Sequence, residues 1–399
     1  MAVFPSGRAA LPLYATNNDT AKSGIRIGSI DSDETLPLVS GTGPAFYVPE
    51  GYVLFTRQNT AFALPFDATK LRATGEAVAV IDGVGLWGGP PGSTLTVSQT
   101  GVLAYRNTSA TDVQLTWYDH LGKRFGEATD PGPYRQAALS PDGKRAVLER
   151  LDPVTNTWDL WLLDLTSRIS SKLTFDPADD TDPVWSPDGR QIAFASLRQG
   201  HLDIYRKAIG ASNDELVYAD NDRKVPEWWL KDGTILYTTS NGKEYHLIAA
   251  EGERRPKQIF HADFTSDEPC VSPDGRWIAF NSLESGRWEV YIAAFPGFTD
   301  KRQVSNSGGG QARWRADGKE LYYLSLDAKM MALEVRTESG LETSVPRQLF
   351  ETHARANSLL DVYGVTAEGQ RFLVVDVVKE APTPITAIVD WPALLPPRR

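Results

Sequence analysis

The sequence predicts an all-β fold built from copies of one four-stranded antiparallel unit. Three observations carry this prediction. A turn made of an acidic residue and glycine recurs every 42 to 51 residues, short apolar strand-like segments flank each turn, and no stretch shows the 3.6-residue period of a helix. Prolines and glycines, 26 and 33 in 399 residues, lie between these segments as turn residues.

The recurring turn defines the length and phase of the repeat. In the copy "SPDG", proline presets the first central dihedral of a type I turn and glycine takes the left-handed position that ends it, which predicts a hairpin. Looser copies at Ser6-Gly7, Glu50-Gly51 and Thr100-Gly101 raise the count to nine. The regular copies are Asp142-Gly143, Asp188-Gly189, Asp232-Gly233, Asp274-Gly275, Asp317-Gly318 and Glu368-Gly369.

Four strands are predicted around each turn. In the second copy, Trp185 lies three residues before the aspartate, and Ile192 and Phe194 alternate after the glycine, which predicts a half-buried second strand. Third and fourth strands follow, here in "LDIYRKAI" and "ELVYA". Because a lone sheet cannot bury both faces, the copies must pack against one another around an axis, as the blades of a β-propeller do. The recurring tryptophans are then packing residues.

The segment "PVWSPDGRQIAFASLRQGHLDIY" resembles the TolB-like, WD-repeat-like propeller unit. The segments "ESGRWEVYIAAFPG", "ARWRADGKELYYLSLDAKMMALEV" and "PITAIVDW" are similar to the C-terminal propeller region of bacterial serine/threonine protein kinases. This resemblance implies a sensor or interaction domain with extracytoplasmic (periplasmic) placement, which is either the detached sensor part of a receptor-type kinase or a stand-alone relative. The chain has none of the kinase's own motifs: no Gly-rich phosphate loop, "VAIK", "HRD" or "DFG".

The copies predict two domains. The six regular copies predict a six-bladed TolB-like propeller in residues 120–399, and the looser copies predict three degenerate blades in residues 1–119. In the last copy we expect strands in "DVYGV", "RFLVV" and "ITAIVDW". The fourth strand would come from "KRFGEA", residues 123–128, and would close the ring. The alternative is a single eight- or nine-bladed ring.

Composition argues against several classes of function. The net charge of -10, with no cluster of basic residues, argues against nucleic-acid binding. The single cysteine, Cys270, permits no internal disulfide. As written, the sequence has no signal peptide and no run of ~18 apolar residues, so we expect no membrane insertion by this chain, and the residues alone leave the compartment unknown.

Catalytic and metal-binding motifs are missing from the sequence. There is no Gly-x-Ser-x-Gly elbow, and the five histidines form no pair at metal-ligand spacing. The loop "DPADDTD" has oxygen ligands for calcium but lacks the glycine and glutamate of an EF-hand, so we interpret it as a solvated connection. Asp159, Asp203 and Glu289 begin equivalent strands and are predicted to bind neighbouring turns or backbone amides. We therefore expect a non-enzymatic protein without cofactor or metal.

The candidate ligand-binding residues differ between copies at the entrance of each innermost strand. These strands line the central channel, where a rigid ring presents variable side chains to one spot. We expect a protein, peptide or small-molecule ligand there, and self-association through the N-terminal blades is a further possibility. The alternative function is a hydrolase or lyase with a channel-bound metal held by Asp182, Glu227 and Glu268. The candidate site is Gln136, Asp182, Glu227, Glu268, Gln311 and Arg313.

Overall fold

The computed structural model describes most of the chain, and the described part is all-β apart from a short 3₁₀ helix at Trp391–Leu394. It separates into two compact units, residues 1–111 with 380–399 (unit 1) and residues 112–379 (unit 2). Within the described ranges, no helix has the length and apolar character needed to cross a membrane. The described residues are 10–15, 24–29, 35–40, 45–57, 60–84, 94–98, 101–106, 112–152, 155, 157–239, 242–338, 340–355, 360–379 and 385–395.

The described residues of unit 1 form three antiparallel sheets. The first is β1 (Ala10–Ala15), β2 (Gly24–Ser29) and β3 (Thr35–Val39). The second is β4 (Ala45–Val48), β5 (Tyr52–Arg57), β6 (Thr60–Asp67), β7 (Arg72–Ala73) and β8 (Val78–Asp82). The third is β9 (Leu95–Val97), β10 (Leu103–Arg106) and β36 (Ile385–Ile388). The predicted turn at Glu50-Gly51 joins β4 to β5, whereas the copy at Ser6-Gly7 lies outside the described residues.

The place of β36 corrects one prediction. The segment "ITAIVDW" was expected to form the third strand of the last propeller blade, but its strand pairs with β10, Leu103 opposite Ile388 and Arg106 opposite Ile385. The last regular copy therefore takes its third strand from elsewhere in the chain.

The described strands of unit 2 form six sheets, which we call blades 1 to 6. Blade 1 is β13 (Tyr134–Leu139), β14 (Arg145–Leu151), β15 (Trp158–Asp164) and β16 (Ser170–Lys172). Blade 2 is β17 (Asp180–Trp185), β18 (Gln191–Ser196), β19 (Asp203–Ala208) and β20 (Glu215–Tyr218). Blade 3 is β21 (Lys224–Trp229), β22 (Thr234–Thr239), β23 (Glu244–Ala249) and β24 (Lys257–His261).

Blades 4 and 5 continue this order, and blade 6 combines strands from both ends of the unit. Blade 4 is β25 (Ser266–Val271), β26 (Trp277–Ser282), β27 (Glu289–Ala294) and β28 (Arg302–Gln303). Blade 5 is β29 (Gly310–Trp314), β30 (Glu320–Leu324), β31 (Lys329–Arg336), β32 (Glu342–Thr343) and β33 (Arg347–Glu351). Blade 6 is β34 (Tyr363–Val365), β35 (Arg371–Lys379), β11 (Asp112–Asp119) and β12 (Arg124–Glu127).

Blade 6 closes the ring. The expected outer strand from "KRFGEA" is present as β12, but the third strand is β11, which pairs with β35 from Asp112 opposite Lys379 to Asp119 opposite Arg371. The alternating apolar residues of β11, among them Val113 and Leu115, are buried in this sheet. The innermost strands contact one another in the order β13, β17, β21, β25, β29 and β34, and β34 contacts β13.

The ring is therefore complete within residues 112–379. The expected boundary between residues 119 and 120 would have cut the chain between β11 and β12, within blade 6. The alternative of a single eight- or nine-bladed ring is wrong, because the six blades of unit 2 close on one another.

The predicted turns form as the sequence indicates. In blade 2, Gly189 has a φ of +66°, and Asp188 Oδ1 accepts hydrogen bonds from Ser186 Oγ (2.6 Å) and the Arg190 amide (3.0 Å). The second strands, however, are buried on both faces: Ile192, Ala193 and Phe194 are all inaccessible to solvent. The prediction of half-buried second strands is wrong, because each blade packs against a neighbour on both sides.

Buried tryptophans join adjacent blades. Trp185 Nε1 donates to the Ala138 carbonyl of blade 1 (2.9 Å), and Trp314 Nε1 donates to the Cys270 carbonyl of blade 4 (3.2 Å). Both side chains are 8% exposed. Their assignment as packing residues is confirmed.

The repeated acids at the start of the third strands are fully buried, and their partners differ. Glu289 Oε1 accepts a hydrogen bond from the Gly308 amide (3.1 Å), as predicted. Asp159 instead pairs with the ammonium of Lys172 (2.7 Å), and Asp203 with that of Lys224 (3.0 Å).

The loop "DPADDTD" is not the solvated connection that its composition indicates. Asp180 is fully buried and pairs with Arg198 (3.1 Å), and burial raises its pKa to about 6. Asp179 accepts a hydrogen bond from the Trp158 amide (2.9 Å), so the loop links blade 2 to blade 1.

Candidate ligand site at the channel mouth

The innermost strands carry β-bulges near their first residues. In β17, β25 and β29, the pairing register shifts next to Asp182, Glu268 and Gln311. These three residues have left-handed backbones, with φ values of +52°, +50° and +58°. A bulge changes the direction of a side chain relative to its strand, and bulges are common beside functional sites. All three belong to the predicted site.

The structure brings the predicted site residues together. Four of them line one pocket with about 520 Å³ of empty space, a figure that includes open solvent at its mouth. The lining comes from blades 1, 2, 3, 4 and 6 or the segments leading into them. Gln311 and Arg313 do not line this pocket: the backbone amide of Gln311 donates to Glu268 Oε2 (2.9 Å), and Arg313 pairs with Asp361. The polar and charged residues of the lining are Gln136, Asp182, Arg223, Glu227, Asp267, Glu268 and Asp361.

The two glutamines of the site join blades. Gln136 Nε2 donates to Asp182 Oδ1 (3.0 Å) in blade 2, and Gln136 Oε1 accepts from the Asp361 amide (2.8 Å) next to blade 6. Gln311 Oε1 accepts from the Val362 amide (2.9 Å). These side chains therefore hold the acidic residues in place around the channel.

Three acids of the pocket have raised pKa values. Burial first, and then the charge of Asp267, raise the pKa of Glu227 well above its ordinary value. Burial and the nearby Asp361 and Asp267 do the same for Glu268. Burial raises the pKa of Asp267 itself to about 6. Carboxyl groups gathered in one desolvated place disfavour one another's ionised form.

Arg313 supplies one local counter-charge. Burial alone would lower the pKa of its guanidinium, but the attraction of Asp361 and other neighbours outweighs burial, and the pKa lies above its ordinary value. A second ion pair lies deeper, where Arg135 holds the fully buried Glu149 (2.6 Å). Burial nevertheless raises the pKa of Glu149 to about 7.

Sequence reasoning missed four charged residues in or beside the pocket, and each omission has a cause. Asp267 directly precedes Glu268, and strict strand alternation would turn the two side chains to opposite faces. Asp361 lies in a copy without the "SPDG" signature, which left its register unassigned. Glu149 was recognisable as a charged residue within the apolar strand "AVLERL". Arg223 precedes its strand, and no pattern marks it.

The acids of the pocket are not arranged around an ion. Within the described ranges, no three side chains of His, Cys, Asp or Glu are placed to hold one metal together. The three acids proposed for a channel metal bind neighbours of their own instead: Thr181 donates to Asp182 (2.7 Å), Thr238 to Glu227 (2.6 Å) and Asn281 to Glu268 (2.6 Å). The hydrolase or lyase alternative stays a prediction.

Comparison with known proteins agrees with this architecture. Residues 119–273 match the protein-family profile PD40, the TolB beta propeller domain. The putative TolB from Agrobacterium tumefaciens superposes with a TM-score of 0.55 and 18% identity, over 67% of this chain and 99% of that one. The chain contains a TolB-like β-propeller. At 18% identity, the structural similarity to the Agrobacterium tumefaciens protein shows a shared fold alone.

Two further relatives are similar over smaller parts. The Tol-Pal system protein TolB of Bordetella pertussis is 27% identical over 118 residues, which are 29% of this chain and 27% of that protein. The chain thus spans about a quarter of the length of this curated relative. TolB from Acinetobacter baumannii superposes with a TM-score of 0.46 and 17% identity, over 61% of this chain and 66% of that one. The resemblance to kinase-associated propellers stays a prediction.

Proposed function

We propose that this chain is a non-enzymatic recognition module whose TolB-like propeller binds a protein or peptide at the channel mouth. One observation carries the proposal: residues from five of the six blades, or from the segments leading into them, converge on a single polar pocket. A concave site with a few convergent polar groups is the usual form of a binding site.

The hydrogen bonds around the pocket hold its side chains in place, as is expected of a recognition site. Asp182, Glu227 and Glu268 accept hydrogen bonds from neighbouring strands, so little order of these side chains would have to be gained on binding. The bonds of Gln136 to Asp182 and of Gln136 to the Asp361 amide cross blade boundaries, which ties the pocket geometry to the closed ring.

A sensor role is the finer form of the proposal. The resemblance of several segments to the propellers of bacterial serine/threonine kinases supports a ring that serves as the recognition part of a receptor-type assembly outside the cytoplasm. Self-association through unit 1 stays a separate prediction, which sedimentation velocity of the full chain tests: a concentration-dependent dimer supports it, and a monomer at all concentrations contradicts it.

Selection of peptides from a random display library on the full chain tests the proposed site. The best binders are resynthesised with a photo-crosslinker, and the labelled residues are identified by mass spectrometry. We expect labels around the channel mouth, in or beside β17, β21 and β25. Labels confined to other surfaces, or no binder at all, would contradict the proposal.

A matched pair of variants sharpens this experiment. Arg223 is an exposed residue of the pocket lining, so Arg223→Trp should crowd the mouth without disturbing the core and weaken the selected peptides on the order of tenfold. Lys257→Trp, on the exposed outer strand β24, should leave their affinity unchanged. Equal affinity in both variants would place the peptides elsewhere.

A further inference from the structure

The pocket at the channel mouth has an excess of negative charge. Five carboxylates line it, and Arg223 is the cation among the lining residues. Arg313, which is not among the lining residues, pairs with Asp361 and so offsets one of the five charges. The carboxylates lining the pocket are Asp182, Glu227, Asp267, Glu268 and Asp361.

One carboxylate oxygen of Glu268 lacks a hydrogen-bond donor in the described part of the chain, which is an observation separate from the charge of the pocket. Its side chain lines the pocket and is 8% exposed. Oε2 accepts hydrogen bonds from Asn281 Nδ2 (2.6 Å) and from the backbone amide of Gln311 (2.9 Å). Oε1 is buried and has no hydrogen-bond partner in the described part of the chain. A buried carboxylate oxygen without a donor costs free energy, which a ligand that donates to it would recover.

The neighbouring acids add to this demand for a cation. Burial and the negative charges of Asp267 and Asp361 raise the pKa values of Glu227 and Glu268, so a positive charge placed beside these two glutamates would favour their ionised forms. No three of the described acids are arranged to hold a metal, whereas an organic cation with several N–H donors can bridge carboxylates that lie apart.

We propose that the channel-mouth pocket binds the cationic end of an arginine or lysine side chain carried by a partner polypeptide. The inference rests on the proposed recognition function and names the chemistry of its ligand. A guanidinium fits best, because its planar fork of donors can satisfy Glu268 Oε1 and a second carboxylate together. The open mouth leaves room for the rest of the partner chain outside.

Titration calorimetry of the full chain with matched peptides tests the charge requirement. The probes are a display-selected peptide, the same peptide with each arginine replaced by neutral citrulline, and free agmatine. We expect the citrulline peptide to bind at least about tenfold more weakly than the arginine peptide. Agmatine should bind more weakly than the peptide. Binding of agmatine as tight as the peptide would assign the pocket to a small cation and overturn the polypeptide part of the proposal.

Two variants should change affinity in opposite directions. Glu268→Gln removes the unpartnered charge without changing side-chain shape and should weaken the arginine peptide on the order of tenfold. Arg223→Gln removes the competing cation and should strengthen it about two- to threefold at low salt. A general loss of folding cannot produce this opposite pair. Glu253→Gln, an acid on an exposed loop, is the charge control and should have no effect.

A variant of a second pocket acid keeps the experiment decisive if Glu268→Gln does not fold. Asp267→Asn changes a partly exposed side chain of the same pocket and should also weaken the arginine peptide. Unchanged affinity in Asp267→Asn and Glu268→Gln, or equal binding of the citrulline peptide, would overturn the inference. If selection instead yields neutral or acidic peptides that crosslink to the mouth, the charge inference fails and the recognition function stands.

Discussion

At the scale of single residues, Lys224 is the most completely enclosed cation of the ring. Its side chain is fully buried, and Nζ lies 3.0 Å from Asp203 Oδ1 and 2.6 Å from Asp220 Oδ1. Nζ also donates to the backbone carbonyls of Asp220 and Asp222. His201 is the other partner of Asp203, at 2.9 Å. Most of the neutralisation of the buried Asp203 carboxylate therefore depends on one ammonium group.

Lys224→Met is expected to destabilise the chain by roughly 3–5 kcal/mol, because it leaves Asp203 buried without its main counter-charge. Urea unfolding followed by tryptophan fluorescence measures the change. Lys257→Met on the exposed strand β24 is the control and should stay within about 0.5 kcal/mol of the parent. A loss below about 1 kcal/mol for Lys224→Met would mean that Asp203 is adequately compensated by other groups.

Glu227 should make stability depend on pH. Its pKa is raised in the folded chain above the ordinary value of 4.5, so the folded state holds the proton more tightly than the unfolded state. The resulting stabilisation is complete below about pH 4.5 and is lost as the pH rises through the raised pKa. Unfolding free energies of the parent and Glu227→Gln at about pH 5 and about pH 8 measure this effect.

Glu227→Gln should lose less stability than the parent between the two pH values, because glutamine does not titrate and its amide oxygen can still accept the Thr238 hydroxyl. The other pocket acids that face this position, Asp182, Asp267 and Asp361, are present in both proteins. Removing the Glu227 carboxylate also relieves its repulsion of these acids, which lowers the pH dependence of the variant further. Parallel pH profiles would show that Glu227 has an ordinary pKa.

Sequence reasoning selected positions that the structure places in or beside one pocket, but it did not distinguish their contacts. Asp182, Glu227 and Glu268 were found because they differ between copies at one repeat position, and the structure places them in one pocket. Gln311 stands at the same position and binds backbone and neighbouring side chains instead. The local sequence cannot separate the two outcomes, because the partners lie in the next blade.

At the scale of elements, the "SPDG" turns depend on the left-handed glycine. Gly275 has a φ of +74° and no atom within 4 Å of the position a Cβ would take. Gly275→Ala should therefore cost about 1–2 kcal/mol through backbone strain alone. Gly297→Ala is the control, since its φ lies outside the left-handed region and the nearest atom to an added Cβ is 4.0 Å away. Thermal unfolding compares them, and equal effects would contradict the strain argument.

Trp185 tests the contact between blades. Trp185→Ala should cost on the order of 3–5 kcal/mol through the cavity that it leaves. Trp185→Phe keeps most of the volume but loses the bond to the Ala138 carbonyl, so we expect roughly 1–2 kcal/mol. Guanidinium unfolding measures both, with Leu121→Ala, whose leucine is 85% exposed, as the neutral reference. Similar losses in the two tryptophan variants would mean that the hydrogen bond, not the packing, dominates.

Strand identity could be predicted from the repeats, whereas burial could not. The turns at Asp188-Gly189 and its equivalents fixed the first two strands of each copy, and period-two alternation showed one apolar face. The second face of β18 carries small side chains such as Ala193 and Ala195, and alanine occurs on both buried and exposed faces of strands, so its presence does not predict burial. Their burial depends on the neighbouring blade, which a local pattern does not contain.

At the scale of the whole molecule, the number of blades in the ring could be predicted and its closing strand could not. Six regular copies gave six blades, and "KRFGEA" was identified as the outer strand of the closure. The partner of β35 was predicted wrongly as "ITAIVDW", because "DVQLTWYD" and "ITAIVDW" are both alternating apolar segments next to turn residues. Only pairing across more than 250 residues, seen in the bond of Tyr118 to Asp376, separates them.

Fragments of the chain test this closure. Residues 112–379 contain every strand of the ring and should fold with one cooperative transition. Residues 120–399 lack β11, which leaves β35 and β12 without their common partner, and should unfold at lower denaturant concentration or aggregate through the open edge. Circular dichroism during urea unfolding compares the two. Equal midpoints would mean that β11 is dispensable.

The pairing of Asp112 with Lys379 also sets how the ring responds to mechanical load. The chain enters and leaves the propeller at these two adjacent residues, and β11 and β35 run antiparallel from that point. Tension that draws the flanking segments apart would strain the rungs of this ladder one after another, as a zipper opens, and never all at once as in shear. The last blade is therefore the seam at which a pulling force would open the ring.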